Sequence, residues 1–242
     1  MDKSNKSKTV VKRNIDHWTR KYSSNNPHVW GIDSSPTANY LLSSKTFKSL
    51  VEEKGKLNIL EIGAGYGRDT NIFTTLDHHV VAFEFAIGAL SSAPSTLIDQ
   101  IPSNLTWIVA DFIGYSFLRD EIFDVVFSHR TLHLLTEQSM INAFKSEVYR
   151  VTQMGGIVCM SARDTRDFNP QQMAWVDEEK GIAKYTLPER KDHIISFWSP
   201  ERFEEEFGEL FNITNLTQEV EPESVTNADT NSHFTIMLGV KP

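Results

Sequence analysis

The chain has 242 residues, 40% of them hydrophobic and 23% charged, which is the make-up of an ordinary folded domain with length for one substantial core. Its formal net charge of −8 argues against a broad nucleic-acid-binding face, which needs a basic excess, so no DNA partner is expected. The single cysteine, Cys159, supplies neither an internal disulfide nor a zinc cluster, and no apolar run is long enough to span a bilayer. A cytoplasmic protein with no membrane partner, monomer or homodimer, is the expectation.

Residues 1–13 are polar, rich in Lys, Ser and Asn, and without periodicity; they predict a disordered tail. Residues 14–56 predict an N-terminal helical cap, with a short helix over 16–22, a loop broken by Pro27 and Pro36, and a helix over 37–53. After Gly55 short apolar runs alternate with amphipathic segments. Strands are predicted at 57–62, 79–84, 105–110, 123–128 and 156–162. Helices are predicted at 67–76, at 86–98 with an interruption near Pro94, and at 137–151. This alternation predicts an α/β fold, a parallel sheet covered on both faces. Residues 163–198 predict a long irregular segment that acts as a lid, carrying Trp175, Tyr185, His193 and Trp198. A helix follows over 199–207, with Ser199 as its cap and Pro200 at its first position. Strands at 211–220 and 233–240 complete the chain as an antiparallel edge pair separated by a polar, acidic loop.

The chemistry concentrates where the first strand ends. The run Asn58-Ile-Leu-Glu-Ile-Gly-Ala-Gly-Tyr-Gly-Arg-Asp-Thr70 turns through Gly63, Gly65 and Gly67 into a helix. Glycines at such a turn let the backbone approach a ligand closely, and the helix start offers unpaired N–H groups. A pyrophosphate or the amino-acid tail of S-adenosylmethionine fits there. Arg68 stands where a dinucleotide fingerprint places its last glycine, and the carboxylate of Glu61 suits an ammonium and a sulfonium better than a pyrophosphate. Glu84 ends the second strand 21 residues past Gly63, where a carboxylate accepts ribose hydroxyls in either cofactor class.

This run resembles motif I of the class I S-adenosylmethionine-dependent methyltransferases, and the resemblance extends over residues 57–240. Ala110-Asp111-Phe112 resembles the family's acidic position at the adenine amino group. Phe123-Asp-Val-Val-Phe-Ser-His-Arg-Thr-Leu-His-Leu-Leu135 resembles motif IV. Gly155-Gly156 resembles the turn before strand five, with Met154 in place of the usual proline. The resemblance implies a doubly wound, mostly parallel, seven-stranded Rossmann-like sheet with an antiparallel C-terminal strand. It implies S-adenosyl-L-methionine as cofactor, held by Glu61, Gly63, Ala64, Gly65, Gly67, Glu84, Phe85, Asp111, Phe112, Ser128 and His129. Gly67-Arg-Asp69, Ser161-Ala-Arg-Asp164 and the strand from His233 look like the tellurite-resistance and thiopurine type, whose acceptors are small molecules.

Methyl transfer from a sulfonium is mainly a problem of alignment. A base is needed only for a protonated acceptor, so His129 and His133, just past strand four, are the candidate catalytic residues. Arg130, Arg163 and Arg166 are candidates to hold an anionic substrate, with Trp18 and Tyr22 closing the site. His133 also reads as a packing residue and the arginines as a solvated loop. Two alternatives stay open: a catalytically silent cofactor-binding subunit, and a methyltransferase acting on a protein or RNA.

Overall fold

A computed structural model describes residues 16–22, 31–93, 97, 101–114, 117–190, 193–224 and 227–242. The expected tail, residues 1–13, lies outside the described residues, as do Trp30 and Pro94. Residues 16–22 are helical as expected (α1). The helix expected over 37–53 is two, α2 (Pro36–Ser43) and α3 (Lys45–Lys54). Ser44 causes the break: its backbone is extended, and its hydroxyl accepts from Phe47 N, capping α3.

The central sheet contains β1 (Asn58–Ile62), β2 (His79–Glu84), β3 (Leu105–Val109), β4 (Phe123–Ser128), β5 (Thr152–Arg163), β9 (Asn212–Ser224) and β10 (Asn227–Val240). Its order is β3-β2-β1-β4-β5-β10-β9. The first five strands are parallel, and β10 runs antiparallel to both β5 and β9. Helices α4 (Arg68–Thr75), α5 (Gln138–Val151) and α6 (Pro200–Phe207) complete the frame. This is the expected doubly wound, Rossmann-like sheet with an antiparallel C-terminal strand.

Strand alternation divides the core between two faces. Leu60, Ile62, Val126 and Met160 point to one face, where Phe144, Phe203 and Phe207 of α5 and α6 cover them. Ile59, Ala82, Val125 and Cys159 point to the other, covered by Ala38, Leu41, Phe47 and Phe73. Within the segment expected as a cap, α2 and α3 place Ala38, Leu41 and Phe47 in this second core.

Three further expectations change. Strand five begins at Thr152 rather than Gly156, and Gly155-Gly156 is a bulge within it: Gly155 has φ +73°, and the register against β4 shifts there. The polar loop expected between the last two strands is itself strand, since the β9–β10 ladder continues through Glu221↔Ser232 to Ser224↔Asn227. The segment 163–198 is not irregular but holds an antiparallel sheet of β6 (Met173–Asp177), β7 (Ile182–Tyr185) and β8 (Ile194–Ser196). Met173, Ala183, Ile195 and Phe197 give it a small core, with Trp175 stacked on Phe168 at 4.0 Å. Within the expected helix 86–98, Leu90–Ser92 form a 3₁₀ turn. Among the described residues no helix is long and apolar enough to cross a membrane.

Candidate functional site

The order of strands reverses between β1 and β4, and the cleft opens outside their carboxyl ends, where open α/β sheets bind ligands. The glycine loop forms its floor. Gly63 and Gly65 have φ of +76° and +58°, and the amides of Gly63 and Ala64 both donate to Phe83 O. A Cβ on Gly63 would lie 2.1 Å from Thr131 Oγ1, and one on Gly65 2.7 Å from the Tyr22 hydroxyl. These two glycines are thus required by close approach as well as by backbone conformation. Gly67 serves packing: it opens α4 in the left-handed region, and a Cβ there would meet Leu97 and Trp107.

Three buried carboxylates line the loop side of the cleft. Glu84 accepts from Gly65 N at 2.9 Å and Ala86 N at 2.7 Å. Burial pushes its carboxyl up to about 7 despite those amides. Glu61 accepts from Thr70 Oγ1 at 2.5 Å, and burial, then the neighbouring charge of Asp69, hold it well above the usual carboxylate range. Asp69 accepts from Ser35 N at 2.6 Å. Beside Gly63 the cleft continues as a narrow apolar slot of about 60 Å³, lined by Phe85, Ala110, Phe112 and Phe144, with Asp111 at its edge. Asp111 accepts from Ile113 N. Two adjacent acids, a third acid at the end of β2 and an apolar slot with an acid beside it are a set that could hold the ammonium, ribose and base of S-adenosylmethionine.

A charge cluster fixes the opposite wall. Glu221 of β9 lies 2.8 Å from Arg68 Nη2, 3.2 Å from Arg130 Nη1 and 3.4 Å from His129 Nε2. Burial alone would raise its carboxyl; His129 and the two guanidiniums instead hold it below the usual range. His129 Nδ1 lies 2.8 Å from Thr37 Oγ1 and 3.0 Å from Ser161 Oγ, and its Nε2 lies 2.9 Å from Arg68 Nη2. Both ring nitrogens are committed to protein partners, so His129 lines the cleft as a cross-link rather than as a free base. Arg130, at φ +54°, donates from its amide to Ser161 O and from Nη2 to Ser232 Oγ.

The cleft as a whole, from the glycine loop past this cluster, is a cavity of about 580 Å³, the size of a small-molecule site. His133, on a 3₁₀ turn after β4, reaches it. Its Nδ1 is buried without a partner, and burial, then Arg163 and Arg130, hold the ring well below the ordinary histidine value. Arg163 pairs with Asp167 and donates to the Tyr185 hydroxyl at 3.1 Å. His193 stacks between Tyr185 and His17, at centroid distances of 5.7 and 4.6 Å, so the β6–β8 sheet meets α1 across the cavity. Trp18 stacks on Tyr22 at 5.9 Å on the same side.

The structure therefore gathers Glu61, Gly63, Ala64, Gly65, Glu84, Phe85, His129, Arg130, His133, Arg163, Trp18 and Tyr22 on the main cavity, and Asp111 and Phe112 on the slot. Three expected residues do not line it. Gly67 packs as described. Ser128 is sealed in β4 and donates to Ile62 O at 3.0 Å, tying β4 to β1. Arg166 turns to Asp164, outside the cavity. Sequence reasoning missed Asp69, Thr131, His17, Arg190 and Glu221. Asp69 follows the glycine motif directly and carried a signal, whereas Glu221 sat in what read as a solvated acidic loop. Of the expected lid aromatics, Tyr185 and His193 line the cavity, but Trp198 is sealed in the core.

Residues 59–156 match the family model described as a methyltransferase domain. No curated protein sequence matches the chain. Among solved structures, the PH0226 protein of Pyrococcus horikoshii OT3 aligns at 17% identity over 92% of this chain and 99% of that one, TM-score 0.64. The 1,6-didemethyltoxoflavin-N1-methyltransferase of Burkholderia thailandensis, solved with 1,6-didemethyltoxoflavin and S-adenosylhomocysteine, aligns at 13% identity over 100% and 91%, TM-score 0.63. The N-methyltransferase NodS of Bradyrhizobium japonicum WM9, solved with S-adenosylhomocysteine, aligns at 16% identity over 94% and 97%, TM-score 0.62. Residues 59–156 thus match a methyltransferase-domain model, and the chain shares the fold of these solved S-adenosylhomocysteine-bound methyltransferases.

Proposed function

We propose that this protein methylates a small-molecule acceptor from S-adenosylmethionine, with the acceptor enclosed between α1 and the β6–β8 sheet and His133 taking its proton. The observation that supports this reading is a single cavity of about 580 Å³ that runs from Gly63, Glu61 and Glu84 to His133, Tyr185 and His193, so that a cofactor at one end and a small acceptor at the other would share one space.

When bound, S-adenosylmethionine supplies a methyl carbon on a positively charged sulfur. Glu61 and Asp69 would hold its ammonium, Glu84 its ribose hydroxyls, and the slot beside Asp111 its base. Trp18, Tyr22 and the β6–β8 sheet act as the lid, excluding water and fixing the acceptor in line, the term that dominates such reactions. His133 is uncharged at neutral pH and has one ring nitrogen sealed, which leaves Nε2 to accept a proton from a hydroxyl or amine. Arg130 and Arg163 shape the acceptor end. Residues 57–242 act as the methyltransferase unit. The tellurite-resistance and thiopurine likeness of Gly67-Arg-Asp69 and Ser161-Ala-Arg-Asp164 supports the same small-molecule reading. The cytoplasm is the proposed setting, in keeping with the buried free thiol of Cys159.

Transfer of a labelled methyl group to members of a small-molecule panel tests the proposal. Tight S-adenosylmethionine binding without transfer to any small molecule would favour a silent subunit or a macromolecular acceptor instead.

A further inference from the structure

Tyr185 ends β7 at the wall of the main cavity, and its ring is already covered: Arg190 lies over it at 4.9 Å and His193 is stacked on it at 5.7 Å. What it offers a ligand is its hydroxyl. Arg163, at the end of β5, donates to that oxygen from Nη1 at 3.1 Å. A guanidinium carries only donors, so the tyrosine oxygen accepts and its own proton points elsewhere. Among the described residues no group accepts that proton, although Tyr185 is only 3% exposed. A buried donor without an acceptor is uncommon in folded proteins, and this one stands beside a ligand-sized space.

The hydroxyl is also held in place. Arg163 pairs with Asp167, and Asp167 accepts from His233 N of β10 at 3.0 Å. A chain of contacts thus runs from the central sheet through Asp167 and Arg163 to Tyr185 on the small sheet, and it pre-orients the donor. Arg163 is likewise the charged neighbour that acts most on His133 after burial, so Tyr185 and His133 share one end of the cavity. The two groups are complementary, since His133 Nε2 accepts and Tyr185 donates. Arg163 and Arg130 already have acids of their own, Asp167 and Glu221, so Tyr185 stands beside compensated charge and suits a neutral oxygen.

We infer that Tyr185 binds the methyl acceptor, donating its hydroxyl in a hydrogen bond to a carbonyl oxygen of that molecule while the acceptor's own O–H or N–H faces His133. The Tyr185 proton is shared and not transferred. This inference rests on the methyltransferase reading, and it adds a specificity-determining residue and the chemistry it selects. A molecule that lacks the oxygen leaves the Tyr185 proton unsatisfied in a buried place, which is the strongest form of discrimination a hydrogen-bonding site possesses. Arg163 acts through Tyr185 as a positioning residue, by fixing which way the hydroxyl points.

The test is titration calorimetry on the whole protein in the presence of S-adenosylhomocysteine. The probes are the hydroxyacetophenone isomers and the matching ethylphenols, which carry a methylene in place of the carbonyl. At least one ketone is expected to bind ten-fold or more tightly than its matched ethylphenol. In Tyr185→Phe that ratio is expected to fall to within two-fold, with S-adenosylhomocysteine and ethylphenol affinities unchanged. A merely loosened wall would weaken ketone and ethylphenol together and leave their ratio standing. The wild-type ratio needs no variant, so it tests the inference even where Tyr185→Phe does not fold. No ketone preference in the wild type, a preference that survives in Tyr185→Phe, or no binding of any probe while S-adenosylhomocysteine binds overturns the inference and leaves the methyltransferase reading standing. Failure of S-adenosylhomocysteine itself to bind overturns both.

Discussion

Glu221, on the penultimate strand, lies 2.8 Å from the guanidinium of Arg68, the first residue of the helix that follows the glycine loop. Through this pair the C-terminal hairpin grips the cofactor end of the molecule from 153 residues away in sequence. The same carboxylate takes Arg130 and approaches His129, so one buried negative charge orients three groups around the cleft.

Removing that charge isolates its contribution. Glu221→Gln keeps the shape and leaves two buried guanidiniums without their acid, a loss of about 3–5 kcal/mol for a broken buried pair. The carboxyl is held below its ordinary value of 4.5, so its contribution is complete above that pH and is lost as pH falls through the depressed value. Urea unfolding at pH 7 and pH 3.5 is expected to show a large difference between wild type and variant at the first and a smaller one at the second. An equal difference at both would detach the effect from Glu221 ionisation.

The legible and illegible parts of the molecule differ in how local their causes are. Gly63, Gly65, Glu61 and Glu84 could be placed because a buried strand, a glycine turn and a helix follow one another within about 25 residues of chain, each imposed by its own neighbours. The edge pair could be read in direction from its alternating apolar residues. Its length could not, because strand character near Glu221 depends on Arg68 and Arg130, which arrive from other segments. The β6–β8 sheet was hidden for a related reason. Its strands are three to five residues long, and their apolar positions face a small core of their own rather than the main sheet. Ser128 differs again: it ends a strand next to the motif, but it is sealed and its hydroxyl is spent on Ile62 O.

Glu84 carries opposed demands of binding and stability. Burial raises it from 4.5 to about 7, so in the ligand-free protein its ionisation costs stability that is fully present below pH 4.5 and lost as pH rises through 7. The displacement corresponds to roughly 3 kcal/mol at most. Glu84→Gln is therefore expected to raise the melting temperature of the ligand-free protein at pH 8 more than at pH 5. The same variant is expected to bind S-adenosylmethionine more weakly by about 1.5–3 kcal/mol, since ribose hydroxyls lose an ionic acceptor. Scanning calorimetry and titration calorimetry read the two effects separately. Unchanged affinity in the folded variant would remove Glu84 from the ribose position.

Gly63 and Gly55 provide a matched pair. Both have φ near +75°, but a Cβ on Gly55 meets nothing within 4 Å while one on Gly63 would lie 2.1 Å from Thr131 Oγ1. Gly55→Ala is expected to cost only the backbone penalty, about 1–3 kcal/mol for a residue held in a sparsely populated region, with cofactor affinity intact. Gly63→Ala carries that penalty and must also displace Thr131, whose hydroxyl donates to Ile62 O at 3.2 Å. Its destabilisation in urea is expected to be clearly larger, with S-adenosylmethionine affinity reduced more than ten-fold. Similar losses in both variants would show that close approach to Thr131 contributes nothing beyond the backbone conformation.

The role given to His133 makes a prediction in pH as well as in rate. A general base contributes about 10²–10⁴-fold, so His133→Asn is expected to lower kcat by that order while leaving S-adenosylhomocysteine affinity within two-fold. Arg163 and Arg130 add to burial in holding the ring well below 6.5, so the wild-type base stays unprotonated through neutral pH. The wild-type rate is then expected to be level from pH 7 upward and to fall on an acid limb below 6.5, and that limb is expected to disappear in the variant. Substituting either arginine reduces the positive field and should move the limb upward toward 6.5. An acid limb that survives in His133→Asn would assign it to another group, and a variant with full kcat would confine His133 to the cavity wall.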